Sequence, residues 1–217
     1  MNKSEQTRER ILEAALELFR AKGFAAATMR EVAAAAGMAT GAAYYYFPSK
    51  EAIVLAFYER ARQEMEPLAA EVLAGPKKLE DRLGGLIAMK LRYFAPNRKF
   101  LGALLGSAAD PSSTLSPFST ETAAIREFDT ATFQRAIDGS DVTPPKDLAP
   151  HLAPMLWLYQ MAVIFFWLID TSEGQTRTRK LLDKSTRLLV QLLKLAAFPL
   201  LRPVRRTVLE LVEIVRG

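Results

Sequence analysis

The chain has 217 residues, half of them apolar and 24% charged, which is enough for one sizeable core or two small ones. It contains no cysteine and a single histidine, His151, so disulfides, thiolate nucleophiles, cysteine–zinc sites and histidine metal clusters are excluded. A net charge of +5 is a mild bias towards an anionic partner.

The polar start, Met1-Asn2-Lys3-Ser4-Glu5-Gln6, has no apolar run behind a basic stub. No signal peptide is therefore expected, and the expected location is the cytoplasm. Helical periodicity dominates, and no stretch alternates with period two for long enough to make a strand; the expected class is all-α, with about nine or ten helices. In the first helix Ile11, Ala15, Leu18 and Phe19 fall on one face, Glu9, Glu13, Glu17 and Arg20 fall off it, and Gly23 closes it. Thr28 and Glu31 form a capping box that opens a short helix, which Gly37 stops. A further short helix fits Thr40 to Phe47, and Pro48-Ser49 restarts the chain into a long helix from Lys50 to about Leu73.

Beyond Gly75-Pro76 a helix runs from about Leu79 to Phe94, with a weak spot at Gly84-Gly85, and another short one reaches about Ala109. Residues 110–120 are rich in Ser, Pro and Thr and read as a loop; Thr122 to Ile137 reads as a helix and Gly139 to Pro145 as a second loop. Leu152 to Ile169 carries only Gln160 and the Tyr159 hydroxyl as polar side-chain groups. Its length meets the requirement for a membrane span, and the competing reading is a helix buried on every side. Thr176 to Phe198 is two-faced, with Leu181, Leu182, Ser185, Leu188, Leu189, Leu192, Leu193 and Ala196 on one side and Lys180, Asp183, Lys184, Arg187, Gln191 and Lys194 on the other. Pro199 and Pro203 break it, and Val204 to Val215 forms a last amphipathic helix.

Residues Met29 to Phe47 are the informative stretch. Two short helices meet at a glycine, with small or apolar contacts from Val32, Ala33, Ala36, Met38, Ala43 and Phe47. This is what a helix-turn-helix requires: small residues where the helices touch, and a second helix that projects far enough to enter a major groove. The flanks add Thr7-Arg8-Glu9-Arg10-Ile11-Leu12-Glu13-Ala14-Ala15, Phe19, Gly23-Phe24 and Thr28, then Gly41 with Tyr44-Tyr45-Tyr46-Phe47-Pro48-Ser49-Lys50-Glu51. Over about the first fifty-five residues this pattern resembles the DNA-binding domain of TetR/AcrR-type transcriptional regulators; the remainder is similar only in architecture.

The resemblance implies a three-helix DNA-binding domain over 1–48 and a helical effector-binding and dimerisation domain over 49–217. It implies a homodimer on a palindromic operator in double-stranded DNA, acting as a repressor that a small molecule releases. Thr28 matches a phosphate-contacting threonine, and Arg30 lies early on the same helix. Thr40, Gly41 and Ala42 occupy the front of the recognition helix, and Tyr44 and Tyr45 match aromatic positions that contact phosphates or bases. Lys50 opens the next helix, where its charge and the free N–H groups favour a phosphate. One of the three tyrosines is expected to pack between helices. Ala39 departs from the usual serine, so the recognition helix lacks its expected cap unless Thr40 takes the role; Ala42-Ala43 departs from a polar–leucine pair, so base reading falls to Thr40, tyrosine hydroxyls and methyl contacts.

The leucine face of 176–198 and the apolar helix before it exceed what one small subunit covers. A four-helix dimer interface is expected, carried by Phe166, Ile169, Leu181, Ser185, Leu188 and Leu192. The effector pocket is expected among Phe94, Phe128, Phe133, Trp157, Gln160, Met161 and Phe165, with Tyr159 and His151 as further polar suppliers, for an apolar or aromatic molecule with one polar handle. No cofactor or metal is expected. His151 has Asp147 four residues earlier but no nucleophile elbow or phosphate loop accompanies it, so an enzyme is not expected. The rival reading is a membrane-associated or scaffolding helical protein that uses the 152–169 segment.

Overall fold

The computed structural model describes residues 2–106, 110 and 112–216. Among these residues all regular structure is helical, with no strand. In chain order the helices are α1 (Lys3–Lys22), α2 (Met29–Ala35), α3 (Thr40–Tyr46), α4 (Lys50–Ala74), α5 (Leu79–Phe94), α6 (Arg98–Ala103), α7 (Ala123–Asp138), α8 (Ala149–Ile169), α9 (Thr176–Ala196) and α10 (Arg202–Arg216). The helix end expected at about Ala109 lies outside the described residues. The chain divides into two compact units, one of residues 1–64 and 94–126, the other of 65–93 and 127–217. Compactness thus cuts the chain differently from the motif boundary at 48.

In the first unit, α1 buries Ile11, Leu12, Ala15, Leu16 and Phe19; α2 buries Met29, Val32 and Ala33; α3 buries Ala43. Alanine at 33, 36 and 43 lets these backbones approach closely, and Phe47, Ile53, Val54 and Phe57 close the core. Caps fix both ends of α2. Thr28 and Glu31 satisfy each other's backbone N–H groups at the start of α2, and Gly37 ends it at φ +67°, a conformation that an L side chain rarely adopts. Phe94, Phe100, Leu101, Leu104 and Leu115 join this core: the Phe100 ring stacks on Phe19 at 5.2 Å, and Phe94 meets Phe57 edge-on at 5.8 Å. The Arg20 guanidinium donates to the Asn97 side-chain oxygen at 3.0 Å, and Arg60 donates to Glu9 and Glu13.

In the second unit, Leu79, Leu83, Leu86 and Ile87 line the buried face of α5. The suspected weak spot at Gly84-Gly85 does not break this helix. Its physical reason is close packing, since a Cβ on Gly85 would come within 2.9 Å of Val72 Cγ1. Arg82 is buried, and among the described residues no carboxylate pairs with it. Its guanidinium donates to the carbonyls of Leu73 and Pro76 and to those of Arg135 and Ala136 in the last turn of α7, where a positive charge meets the negative end of the helix dipole. At the start of α9, Asp170 accepts from the Thr178 hydroxyl and from the N–H groups of Thr178 and Ser172. Those bonds, the Thr178 hydroxyl foremost, hold its carboxyl well below the usual carboxylate range.

Two boundaries differ from expectation for the same reason. Pro150 sits in the first turn of α8, which opens at Ala149 rather than 152, and Pro203 is the second residue of α10 rather than a breaker. A proline there loses no intrahelical bond, because the first-turn N–H groups have no acceptor in the helix.

Candidate functional site

The paired short helices α2 and α3 hold their outer surface out by burying their inner one. On α3 the methyl of Ala43 is fully buried, while Gly41, Ala42, Tyr44 and Tyr45 face outwards and Thr40 is half-buried. Tyr45 is 84% exposed and Tyr44 49%, an unusual display of large rings on a helix of seven residues. Tyr46 is the tyrosine that turns in: it packs against the core and receives the Tyr45 ring edge-on at 5.3 Å. Ala39 supplies no side-chain cap, so α3 presents its first N–H groups unsatisfied by a side chain. Among them the Ala42 and Ala43 N–H groups turn back to the Ala39 carbonyl.

Thr28 and Arg30 are exposed at the head of α2. The Thr28 hydroxyl donates to Glu31 at 2.7 Å, and Lys22 reaches the same carboxylate at 2.6 Å. The Lys22 contact foremost, then Thr28, holds the Glu31 carboxyl down to about 2. Lys50 is engaged within the unit. Its ammonium donates to the carbonyls of Phe24 at 2.7 Å and Ala25 at 3.3 Å, and lies 4.6 Å from the centre of the Phe24 ring. A phosphate at this position has to share or replace those bonds.

Within the second unit lies a cavity of about 10 Å3, room for roughly one water molecule. Its walls are Met65, Ala69, Leu86, Met89, Phe128, Thr132 and Phe133, with a polar cluster of Lys90, Asp129 and Gln160. The Lys90 ammonium donates to both Asp129 oxygens at 2.5 Å, and the Gln160 amide donates to one of them at 2.8 Å. All three side chains are buried.

The structure brings Phe128, Phe133 and Gln160 to this cavity. It does not bring the other pocket candidates. Phe94 packs in the first unit, Trp157 is buried on α8 without reaching the cavity, and Met161 and Phe165 are half-buried outside it. Tyr159 is committed elsewhere, its hydroxyl 2.7 Å from Ser185 and 2.9 Å from Thr186 on α9. His151, in the first turn of α8, is not among the lining residues. Sequence reasoning missed Lys90 and Asp129. A signal existed: Lys90 continues the buried stripe 79, 83, 86, 87 of α5, and Asp129 opens the stripe 129, 132, 133, 136 of α7.

Helices α8 and α9 carry a third feature. Their inner faces are buried at Leu152, Leu156, Trp157, Gln160, Val163 and Trp167 and at Thr178, Leu182, Thr186, Val190 and Leu193. The leucine face read as one surface therefore splits in two. Leu181, Leu188, Leu192 and Leu195 point outwards, with Leu188 and Leu192 more than half exposed, and α8 exposes Leu158 and Ile169. Phe166 is half-buried beneath the Arg177 guanidinium at 5.6 Å, and Ser185 is half-buried at the Tyr159 hydroxyl.

Two family models match the chain. The model for bacterial regulatory proteins of the tetR family covers residues 11–57, and the model for the C-terminal domain of tetracyclin repressor-like proteins covers 82–211. A stretch of 104 residues is 32% identical to the uncharacterized HTH-type transcriptional regulator YerO of Bacillus subtilis, spanning 46% of this chain and 35% of that protein. Among solved structures, a TetR transcriptional regulator from Nitrosomonas europaea shares the fold at a TM-score of 0.63 and 21% identity, covering 83% of this chain and 96% of that one. The FadR repressor of Thermus thermophilus, solved in complex with lauroyl-CoA, aligns at a TM-score of 0.59 and 23% identity over 84% of this chain and 93% of its own.

Proposed function

Because the chain belongs to the TetR family of DNA-binding transcriptional regulators, we propose that it acts in the cytoplasm as a homodimeric repressor, released from a palindromic operator by a small apolar molecule. The reading surface is the outer side of α2 and α3: Thr28 and Arg30 on phosphates, and Thr40, Gly41, Ala42, Tyr44 and Tyr45 against the major groove, with Lys50 at its margin. The observation that carries this is the pair of exposed tyrosines on a short helix anchored by a buried alanine. Rings that large are held in water at a cost in hydration unless a partner covers them. With few side-chain donors on α3, sequence reading leans on tyrosine hydroxyls and on methyl and ring contacts with thymine.

The effector site is the cavity around Lys90, Asp129 and Gln160, with Phe128 and Phe133 in its wall. Release requires the ligand to favour the state that does not bind DNA, and a coupling of about 1–3 kcal/mol is typical of such systems. The dimer surface is the outward stripe of α8 and α9, including Phe166, Ile169, Leu181, Leu188 and Leu192, with Ser185 at its edge. What supports a second copy as its cover is the heptad-like spacing 181, 188, 192, 195, flanked by the charged Lys184 and Arg187, as in four-helix seams.

The rival membrane reading rests on α8, which is long and apolar enough to cross a bilayer at a mean hydropathy of 1.8. Against it stand the Gln160 and Tyr159 hydrogen bonds to α7 and α9, which tie two sides of the helix to protein. The deciding experiment is selection of double-stranded DNA from a random pool by the purified protein. The expected product is a two-fold site with half-sites about one helical turn, or a multiple, apart. A pool that shows no enrichment, or protein that fractionates with membranes, overturns the proposal.

A further inference from the structure

The polar cluster in the cavity is balanced: one ammonium, one carboxylate and one amide, buried together on α5, α7 and α8. Asp129 accepts from Lys90 on both oxygens and from Gln160 on one, while an ammonium has three donors and Lys90 spends two of them on a single carboxylate. A further acceptor therefore finds an N–H at Lys90 without disturbing the pair. A ligand carboxylate would place a second anion beside Asp129, and a ligand ammonium a second cation beside Lys90. Either leaves net charge in a low-dielectric interior, or strands one member of the pair. Around the cluster, Met65, Met89, Phe128 and Phe133 offer only apolar and ring contacts. A cavity of about 10 Å3 admits an organic molecule only when these side chains yield, and the two methionines are the most adaptable of them.

We propose that the Lys90–Asp129–Gln160 cluster makes this cavity a charge filter, which accepts uncharged apolar molecules carrying one hydrogen-bond acceptor and rejects the acid and the amine of the same skeleton. This inference rests on the reading of the second unit as an effector receptor. It adds the rule by which that receptor chooses: Lys90 donates to the ligand's oxygen, and Asp129 holds Lys90 in place.

The rule has a signature that plain apolar packing lacks, because removing one charge should invert the preference. In Lys90→Met the Asp129 carboxylate is stranded and a ligand ammonium becomes its best partner; in Asp129→Asn the Lys90 ammonium is stranded and a ligand carboxylate becomes its best partner. The full-length protein is titrated at pH 7 with three matched sets: benzyl alcohol, benzoate and benzylamine; 2-naphthalenemethanol, 2-naphthoate and 2-naphthylmethylamine; and octanol, octanoate and octylamine. Ligand-observed NMR gives the affinities and thermal shift gives the stabilisation. In the wild type at least one alcohol binds, and its acid and amine bind about a hundredfold more weakly or not at all. Lys90→Met moves the preference to the amine and Asp129→Asn to the acid.

Should both variants fail to fold, the wild-type ranking alone decides. An acid or amine that binds the wild type as tightly as its alcohol, and weakens operator binding in the same range, overturns the charge filter and leaves the receptor reading standing. If none of the nine compounds binds, the cavity is plain core and both readings fall. Variants that fold and keep the alcohol preference also overturn the filter, because discrimination then does not come from this pair.

Discussion

The two compact units solve opposite problems with their interiors. In the first, the buried polar side chains among the described residues are the neutral Asn97, Ser116 and Thr122, and the core is aromatic and aliphatic side chains packed around α1, α2 and α3. In the second, the interior holds Arg82, Lys90, Asp129 and Asp170, which are all the buried charged side chains among the described residues. A core without buried charges has no ion pairing to maintain, and close apolar packing sets its shape. Each buried charge must instead be matched by partners, which makes that interior specific and sensitive to what enters it. The unit that would read DNA has no buried charge among its described residues; the one that would sense a ligand is polar inside and apolar on one outer face.

Substitutions can break this contrast at several points. The largest effect is expected at the buried pair. Asp129→Leu alone should lower the unfolding free energy by about 3–5 kcal/mol in urea titrations, and adding Lys90→Met should recover most of the loss. A double variant no more stable than the single one would mean that the charges are not what constrains this interior. Next comes the outer stripe. Leu188→Glu with Leu192→Glu should turn a dimer into a monomer in sedimentation velocity, weakening association by at least about a thousandfold if each leucine contributes roughly 2 kcal/mol. A wild type that sediments as a monomer at micromolar concentration would refute that cover for the stripe.

Smaller effects sharpen the comparison. Gly139→Ala puts a Cβ 2.5 Å from the Arg82 guanidinium. Because that group is held by four carbonyls, a loss of about 1–3 kcal/mol is expected. In the first unit Tyr45→Ala should change stability by less than about 0.5 kcal/mol while lowering operator affinity by about 1–3 kcal/mol, read by thermal melting and fluorescence anisotropy. The smallest effect is on pH. The depressed Glu31 carboxyl contributes to the α2 cap fully above its ordinary value of 4.5, and that contribution is lost as pH falls towards about 2. Helix protection at residues 29–35, followed by hydrogen exchange, should decline over that window in the wild type and not in Glu31→Gln.

Local signals in the sequence carry the helices and the reading surface. The Thr28–Glu31 box, Gly37 and the alanines at 33, 36 and 43 act over a few residues, and each occurs where its spacing places it. Ala39 was legible as a missing cap because capping concerns one residue and its own helix. Pairings between distant elements were not legible. Phe94 reads as apolar on α5 from any direction, and nothing in periodicity says that Phe57 rather than the cavity receives it. The leucine face of α9 is continuous in sequence, yet it is shared between an inward and an outward surface, because an apolar arc wider than one contact reads as a single stripe. Lys90 and Asp129 look like ordinary helix charges until their stripes are set beside each other, and they stand 39 positions apart.

The phenylalanine cluster bears on how far the head could be transplanted. Phe19 and Phe24 meet Phe100, and Phe57 meets both Phe94 and Phe100, so the interior of the reading unit is completed by side chains that come far later in the chain. A chimera spliced at residue 48 would carry away α1, α2 and α3 but leave Phe57, Phe94 and Phe100 behind, exposing rings that are now covered. The exchangeable cassette is two chain segments, 1–64 and 94–126, and re-targeting this regulator to another operator by grafting calls for both together.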